Sequence, residues 1–155
     1  MTDIRLEVER ALATLPTSAG GIALLLAIAG DPPPVVLLSA GDVVLDGASV
    51  RIALYAASSA ARVVGDSATL LVPVNDGAVR IEIGDIRRRG DDRFAVIEGV
   101  IGAFRPTAEP PWRPRLVFEA AGPGTESFVA HWGALRAWLA SGATGESPPL
   151  PPGTA

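Results

Sequence analysis

The sequence lacks cysteine, lysine and glutamine, and it contains a single histidine, His131. Without lysine the chain can form neither a Schiff base nor a lysine-dependent phosphate loop, and without cysteine it has no thiol nucleophile or cysteine zinc site. One histidine also excludes the paired-histidine metalloprotease motifs. The chain has neither a Gly-x-Ser-x-Gly elbow nor a Gly-x-Gly-x-x-Gly fingerprint, so an enzyme of this sequence would take its reactive group from a bound cofactor.

Positive charge is also scarce, because 13 arginines stand against 17 acidic residues and the net charge is −4. A protein that neutralises the phosphates of a nucleic acid needs a basic surface, so this balance argues against a nucleic-acid partner. The one basic cluster, Arg87, Arg88 and Arg89, is followed by Asp91 and Asp92. We predict that it is the solvated tip of a hairpin.

Long apolar runs are absent. The longest, Ile22 to Ala29, falls well short of the roughly 20 residues that a membrane span requires. Asp3 and Glu7 give the N-terminus the wrong charge for a secretion signal, so we expect a cytoplasmic protein.

The length of 155 residues suits one domain, which we place at residues 1–141, with a disordered Pro/Gly-rich tail at residues 142–155. The hydrophobic content of 48% predicts that a second subunit covers part of the surface.

Helical periodicity occurs at both ends of the chain. Near the N-terminus, Thr2 or Asp3 can cap a helix that ends at Pro16. A second helix is predicted to begin near Gly124. The residues predicted to face inward are Ile4, Val8, Leu12 and Leu15 in the first helix, and Phe128, Trp132, Leu135 and Leu139 in the second.

Between the helices the pattern is typical of strands joined by tight turns. Asp46-Gly47 and Asn75-Asp76-Gly77 each predict a hairpin. Ile86 breaks the alternation beside Gly84, which indicates a bulge, and Gly99 marks a bend or a close backbone approach. The sequence therefore predicts a mainly β, α+β fold: an antiparallel barrel of six to seven strands with flanking N- and C-terminal helices.

A strand that runs directly into a short helix is the most informative local feature. Ser58 and Ser59 follow the strand that ends at Tyr55, and they precede Ala60, Ala61 and Arg62. Serine hydroxyls, free backbone N–H groups and an arginine one turn further on could bind a phosphate or another small anion. The same serines would also make an ordinary helix cap.

Four segments in this order resemble the FMN-binding split barrels, and most closely the pyridoxamine 5'-phosphate oxidase-like flavoproteins. The resemblance covers roughly residues 20 to 120, and its segments are residues 35–39, 53–58, 60–62 and 68–72. It implies a homodimer with FMN in the groove between two barrels, and oxidoreductase chemistry on the flavin ring. The small-molecule substrate is left open.

The resemblance also implies a set of cofactor-binding residues. Leu37, Leu38 and Ser39 correspond to the strand against the flavin ring, and Tyr55 and Ala56 to the strand end beside the ribityl chain. The phosphate would lie at Ser58 and Ser59, with Arg62 adding charge. Trp112 matches a tryptophan that approaches the flavin or the partner chain in some members.

Three positions depart from the family pattern and keep other functions open. One is Ser59, because family members more often have a basic residue directly after the serine that corresponds to Ser58. The residues flanking the Val-Val-Leu-Leu run are often basic in the oxidases, whereas here they are Pro34 and Ser39. This difference favours an alternative: a non-enzymatic dimeric split barrel that has lost flavin or binds another small anionic ligand. A third possibility is a module that binds a partner protein through an exposed Trp112.

Overall fold

The computed structural model describes residues 3–30, 32–62, 65–75, 77–107, 117–119 and 124–151. Helix α1 spans Ile4–Ala13 and helix α2 spans Thr125–Ala140. Single turns of 3₁₀ helix follow two of the strands, at Ala40–Asp42 and Ala60–Arg62. The strands in the described residues are β1 (Gly21–Ile28), β2 (Val35–Ser39), β3 (Val43–Asp46), β4 (Ser49–Tyr55), β5 (Ala68–Val74), β6 (Gly77–Gly90), β7 (Phe94–Pro106) and β8 (Val117–Phe118).

The strands form one antiparallel sheet in the order β2-β1-β5-β6-β7-β4-β3, with the two-residue β8 paired to β1. The sheet begins and ends with β2 and β3, which are consecutive in the chain and joined by the turn Ala40–Asp42. Within the described residues these two strands do not pair with each other. We call the gap between them the seam. The predicted fold class is confirmed: an α+β antiparallel split barrel.

The predicted turns and bulge are found where the sequence indicates them. In the hairpin from β3 to β4, Asp46 pairs with Ser49, and Gly47 has the positive φ of +60° that this tight turn requires. The register between β6 and β7 shifts after Gly84, where Asp85 has a φ of 48°. This bulge bends β6 and helps the sheet to curl.

Gly99 on β7 confirms the prediction of a close backbone approach. A Cβ atom at this position would lie 2.4 Å from Ile83 Cγ2 and 3.0 Å from the carbonyl oxygen of Gly84. Any side chain would therefore push β6 and β7 apart at the bulge.

Two apolar clusters lie on opposite faces of the curled sheet. The larger cluster fills the barrel, and Val8 and Leu12 of α1 belong to it, with 0% and 1% of their surface exposed. Asp3 caps α1, because its carboxylate accepts hydrogen bonds from the backbone N–H groups of Arg5 and Leu6. The smaller cluster joins β3, β4 and β7 to α2 and contains Val44, Ala53, Phe94, Val96, Leu135, Leu139 and Ala143.

The inward face of α2 differs from the predicted one. His131, Leu135 and Leu139 are its buried residues, whereas Phe128 and Trp132 are half-buried. The cause is aromatic packing: the imidazole of His131 stacks on the buried ring of Phe94, with 5.7 Å between ring centroids. The rings of Phe128 and Trp132 pack on each other instead, 5.9 Å apart.

Arg87, Arg88 and Arg89 are all exposed, in agreement with the predicted solvated hairpin tip, but Arg89 also has protein partners. Its guanidinium donates hydrogen bonds to the carbonyl oxygens of Gly142 and Ala143. Nearby, Arg93 donates to the carbonyl of Ser147 at 2.7 Å. Residues 142–151 therefore contact the hairpin of β6 and β7, and the domain boundary at residue 141 stays a prediction.

Burial works to raise the pKa of Asp91 at this hairpin tip, but hydrogen bonds from the backbone N–H groups of Phe94 and Arg93 outweigh it. They lower the pKa to about 2. The carboxylate of Asp91 thus closes the tip of the β6–β7 hairpin. Neither α1 nor α2 has the length and apolar character needed to cross a membrane.

Candidate functional site

A cavity of about 200 Å³ lies where β2 faces the ends of β4 and β7 across the seam. We call it the seam cavity. Phe118 of β8 and Trp132 of α2 complete its wall. The described residues that line it are Val36, Leu37, Leu38, Ser39, Asp42, Ala53, Leu54, Tyr55, Ser58, Phe94, Phe118 and Trp132.

Five of the residues predicted to bind cofactor meet in this one cavity: Leu37, Leu38, Ser39, Tyr55 and Ser58. They come from two segments of the chain that face each other across the seam. Ala56, Ser59 and Arg62 follow the same strand end but do not line the cavity. Trp112 lies outside the described residues.

The turn after β2 is built as a reciprocal cap. The hydroxyl oxygen of Ser39 accepts a hydrogen bond from the N–H of Gly41 at 3.1 Å. The Asp42 carboxylate accepts one from the N–H of Ser39 at 2.8 Å. This capping box fixes the direction in which the chain leaves β2 and places the Asp42 carboxyl at the cavity wall.

Burial raises the pKa of Asp42 to about 6, against the lowering effect of the backbone and side-chain hydrogen bonds from Ser39. The carboxyl is therefore mostly ionised at pH 7 but close to titration. No ion pair among the described residues includes it. The seam cavity thus carries negative charge.

Helix α2 holds this turn in place. A Cβ atom at Gly41 would lie 2.6 Å from Trp132 Cβ, so glycine permits the turn to touch the helix. The guanidinium of Arg136 donates to the carbonyl of Ala40 at 2.9 Å and to that of Leu12. Arg136 therefore joins α2 to the turn and to the end of α1, and burial lowers its pKa.

Aromatic rings form two parts of the cavity wall. In one part, the ring centroids of Tyr55 and Phe94 are 5.7 Å apart. The imidazole of His131 also stacks on the ring of Phe94. On the other part, the rings of Phe118 and Trp132 are 6.5 Å apart. Such walls suit a flat ligand or a cation, because ring faces attract both.

The strand-to-helix feature at Ser58 is present as a single capped 3₁₀ turn. The hydroxyl oxygen of Ser58 accepts a hydrogen bond from the N–H of Ala61 at 3.2 Å. Its hydroxyl hydrogen can still donate to a ligand. Arg62 is exposed at the end of the turn, so its charge lies outside the cavity lining.

Asp42 is the functional candidate that the sequence interpretation missed. Its signal was present, because Ser39-Ala40-Gly41-Asp42 before the apolar Val43 and Val44 matches the capping-box pattern. Phe94, Phe118 and Trp132 carried no comparable local signal. They reach the cavity through strand pairing and helix packing.

A larger open groove of about 540 Å³ lies elsewhere, between the end of β1, the start of β5 and the bulge in β6. None of the predicted site residues that the structure describes line it. The charged residue in its described lining is Glu82, which already pairs with Arg80 and Arg105. The described residues also contain no cluster of acidic, histidine or cysteine side chains that could hold a metal. The seam cavity is therefore the better candidate site.

Together, the fold and the cavity define a split barrel with a ligand-sized cavity at its seam. No family model matches the chain, and no curated protein matches it. Among solved structures, an F420 reductase is similar with a TM-score of 0.45 and 12% identity. The similarity covers 54% of this chain and 88% of that chain. A likeness this distant carries no argument about this protein's function.

Proposed function

We propose that this protein is a homodimeric split barrel that binds FMN at the seam and acts as a flavin-dependent oxidoreductase. One observation carries the proposal: Leu37, Leu38, Ser39, Tyr55 and Ser58, which the family resemblance assigns to flavin, line a single cavity. Bound flavin would supply the electron transfer, which this chain's side chains do not offer.

The cavity fits part of a flavin better than the whole. Pockets for whole ligands measure roughly 300–1,000 Å³, so a cavity of about 200 Å³ holds one edge of the ring system. The remaining ring would lie over Leu37 and Tyr55, which are exposed beside the cavity. A second copy of the chain would then cover it and exclude water.

The phosphate of FMN fits the cavity poorly, because the cavity contains the Asp42 carboxylate and its described lining has no basic side chain. We therefore place the phosphate beyond the cavity wall formed by Ser58, toward Ser59 and Arg62, which do not line the cavity. There the Ser58 hydroxyl could donate a hydrogen bond to the phosphate. A bond to a charged group contributes about 1.5–3 kcal/mol, or roughly 10–150-fold in affinity.

The test compares FMN with riboflavin, which has the same ring and no phosphate. Visible absorption of the purified protein, followed by fluorescence titration with each flavin, gives the two affinities. Ser58→Asp keeps a good capping residue but adds negative charge, so FMN affinity should fall at least about tenfold while riboflavin affinity is unchanged. Ser18→Asp, which adds the same charge in an exposed turn, is the matched control.

The second candidate function is a non-enzymatic dimeric split barrel without flavin, or with another small ligand. The Asp42 carboxylate in the cavity favours it, as do Pro34 and Ser39 at positions that are often basic in the oxidases. The same carboxylate opposes the anionic ligand that the sequence left open. A colourless protein that binds neither FMN nor riboflavin would support this candidate over the first.

A further inference from the structure

Among the described residues that line the seam cavity, one carries a carboxyl group and four carry aromatic rings. The carboxyl is that of Asp42, and the rings are those of Tyr55, Phe94, Phe118 and Trp132. Leucine, valine and alanine side chains make up most of the remaining lining. A carboxylate among aromatic faces is the arrangement by which proteins recognise organic cations, because the charge and the ring quadrupoles attract the same ligand.

The negative charge in the cavity has no protein counter-charge in the described part of the chain. The hydrogen bonds to the Asp42 carboxyl come from Ser39, which is uncharged. Among the described cations, Arg136 binds this turn, but its guanidinium donates to the carbonyls of Ala40 and Leu12. Arg51 on β4 is engaged by Asp46 and Glu98. A cationic ligand would therefore supply the missing charge.

The carboxylate is also fixed in position before any ligand arrives. Its capping-box bond to Ser39 N–H sets its orientation, and Arg136 and Trp132 hold the turn that bears it. Few protein side chains would then lose conformational freedom when a ligand binds, so the entropic cost of binding is low. A volume of about 200 Å³ suits one aromatic ring with a short side chain.

We propose that the seam cavity binds a small aromatic ammonium ion, with the ring between the aromatic walls and the ammonium group on the Asp42 carboxylate. Asp42 is then the residue that determines specificity for cations. The proposal does not depend on flavin, since it uses only the lining of the cavity in one chain. It goes beyond the proposed function by naming a second class of ligand, an organic cation, for the seam cavity.

The experiment uses three ligands of similar shape: benzylamine, which is cationic, benzyl alcohol, which is neutral, and benzoate, which is anionic. Each is titrated into the full chain by calorimetry at about pH 8, where the Asp42 carboxyl is ionised. We expect benzylamine to bind at least about tenfold more tightly than benzyl alcohol, and benzoate to bind more weakly still. Benzylamine is colourless, so this result is independent of any flavin spectrum.

The Asp42→Asn variant tests the assigned residue. Asparagine retains an acceptor for Ser39 N–H, so the turn should persist, while benzylamine affinity should fall to that of benzyl alcohol. Asp85→Asn removes the same charge at the exposed bulge, where asparagine tolerates the positive φ, and should leave binding unchanged.

Three results would overturn the proposal. They are undetectable benzylamine binding, equal affinity for benzylamine and benzoate, or unchanged benzylamine affinity in Asp42→Asn. Because the first two use the wild-type chain, they stand even if the variant fails to fold. Failure to bind flavin would leave this proposal intact, and failure to bind benzylamine would leave the flavin proposal intact.

Discussion

His131 is buried between the barrel and the C-terminal segment. It stacks on Phe94 and donates a hydrogen bond to the carbonyl of Pro149, while no described residue partners its Nε2 atom. Burial lowers its pKa, outweighing the hydrogen bond to Pro149, so the neutral imidazole is the folded form. Nothing in the local sequence reveals that Phe94 and Pro149 lie against it.

We predict that protonation of His131 weakens the attachment of residues 142–151. Its folded pKa is below the unfolded value of about 6.5, so its contribution to the free energy of unfolding is present above that pH and is lost as the pH falls. His131 is the only histidine in the chain, so its NMR titration is unambiguous. The midpoint should lie below about 6.5.

An Arg93→Ala variant tests whether the titration of His131 depends on the attachment of residues 142–151. Losing the guanidinium removes its bonds to Ser147 and Glu146, and the loosened segment should bring the His131 midpoint back toward its ordinary value. Arg80→Ala is the control, since Arg80 pairs with Glu82 away from the segment. A wild-type midpoint at or above about 6.5 would contradict the burial that the structure describes.

At the scale of elements, helix α2 both covers the sheet and supports the turn that carries Asp42. Two glycines show these separate roles. Gly133 lies within α2, and a Cβ atom there would meet nothing within 4 Å. Gly41 lies in the turn, where a Cβ atom would be 2.6 Å from Trp132 Cβ.

We predict opposite effects of alanine at these two glycines. Gly133→Ala should raise the free energy of unfolding by up to about 1 kcal/mol, because alanine loses less backbone entropy in a helix. Gly41→Ala should lower it by about 1–3 kcal/mol, because it forces the turn away from α2. Urea denaturation monitored by circular dichroism measures both. A neutral Gly41→Ala variant would show that the turn does not rest on α2.

Elements with local causes could be predicted from the sequence. The hairpins follow from Asp46-Gly47 and Asn75-Asp76-Gly77, and α1 follows from its apolar spacing and the cap at Asp3. The attachment of residues 142–151 could not be predicted, because Arg93 and its acceptor Ser147 are 54 positions apart. The composition of this segment alone indicates a tail. Composition does not show that a distant arginine will donate hydrogen bonds to the segment's carbonyl groups.

At the scale of the whole molecule, the candidate site depends on how the sheet closes. The predicted residues Leu37, Leu38, Ser39, Tyr55 and Ser58 meet because β2 and β3 are the two ends of one curled sheet. The family resemblance predicted that these two segments share one site. The turn patterns alone did not predict it. The carboxyl at the cavity wall lay outside the family pattern, so Asp42 emerged from the structure.

The proposed homodimer is also a whole-molecule property. Val35 and Leu37 on β2 and Val117 on β8 are 58%, 56% and 55% exposed, and both strands pair with β1. Since Leu37 also lines the seam cavity, covering this surface with a second copy would enclose the site. Edge strands with exposed apolar side chains are unfavourable in a monomer, which supports the proposal.

We predict that the chain sediments as a dimer and that Leu37→Asp dissociates it. A twofold axis places the substituted residue in the interface twice, so losing about 1.5 kcal/mol of apolar burial at each copy would weaken dimerisation roughly 100-fold. Val100→Asp is the matched control, because Val100 is 45% exposed on β7 and does not line the seam cavity. Analytical ultracentrifugation over a range of protein concentrations separates the outcomes. A wild-type monomer, or equal effects of both substitutions, would exclude this surface as the interface and leave the seam cavity open to solvent on every copy.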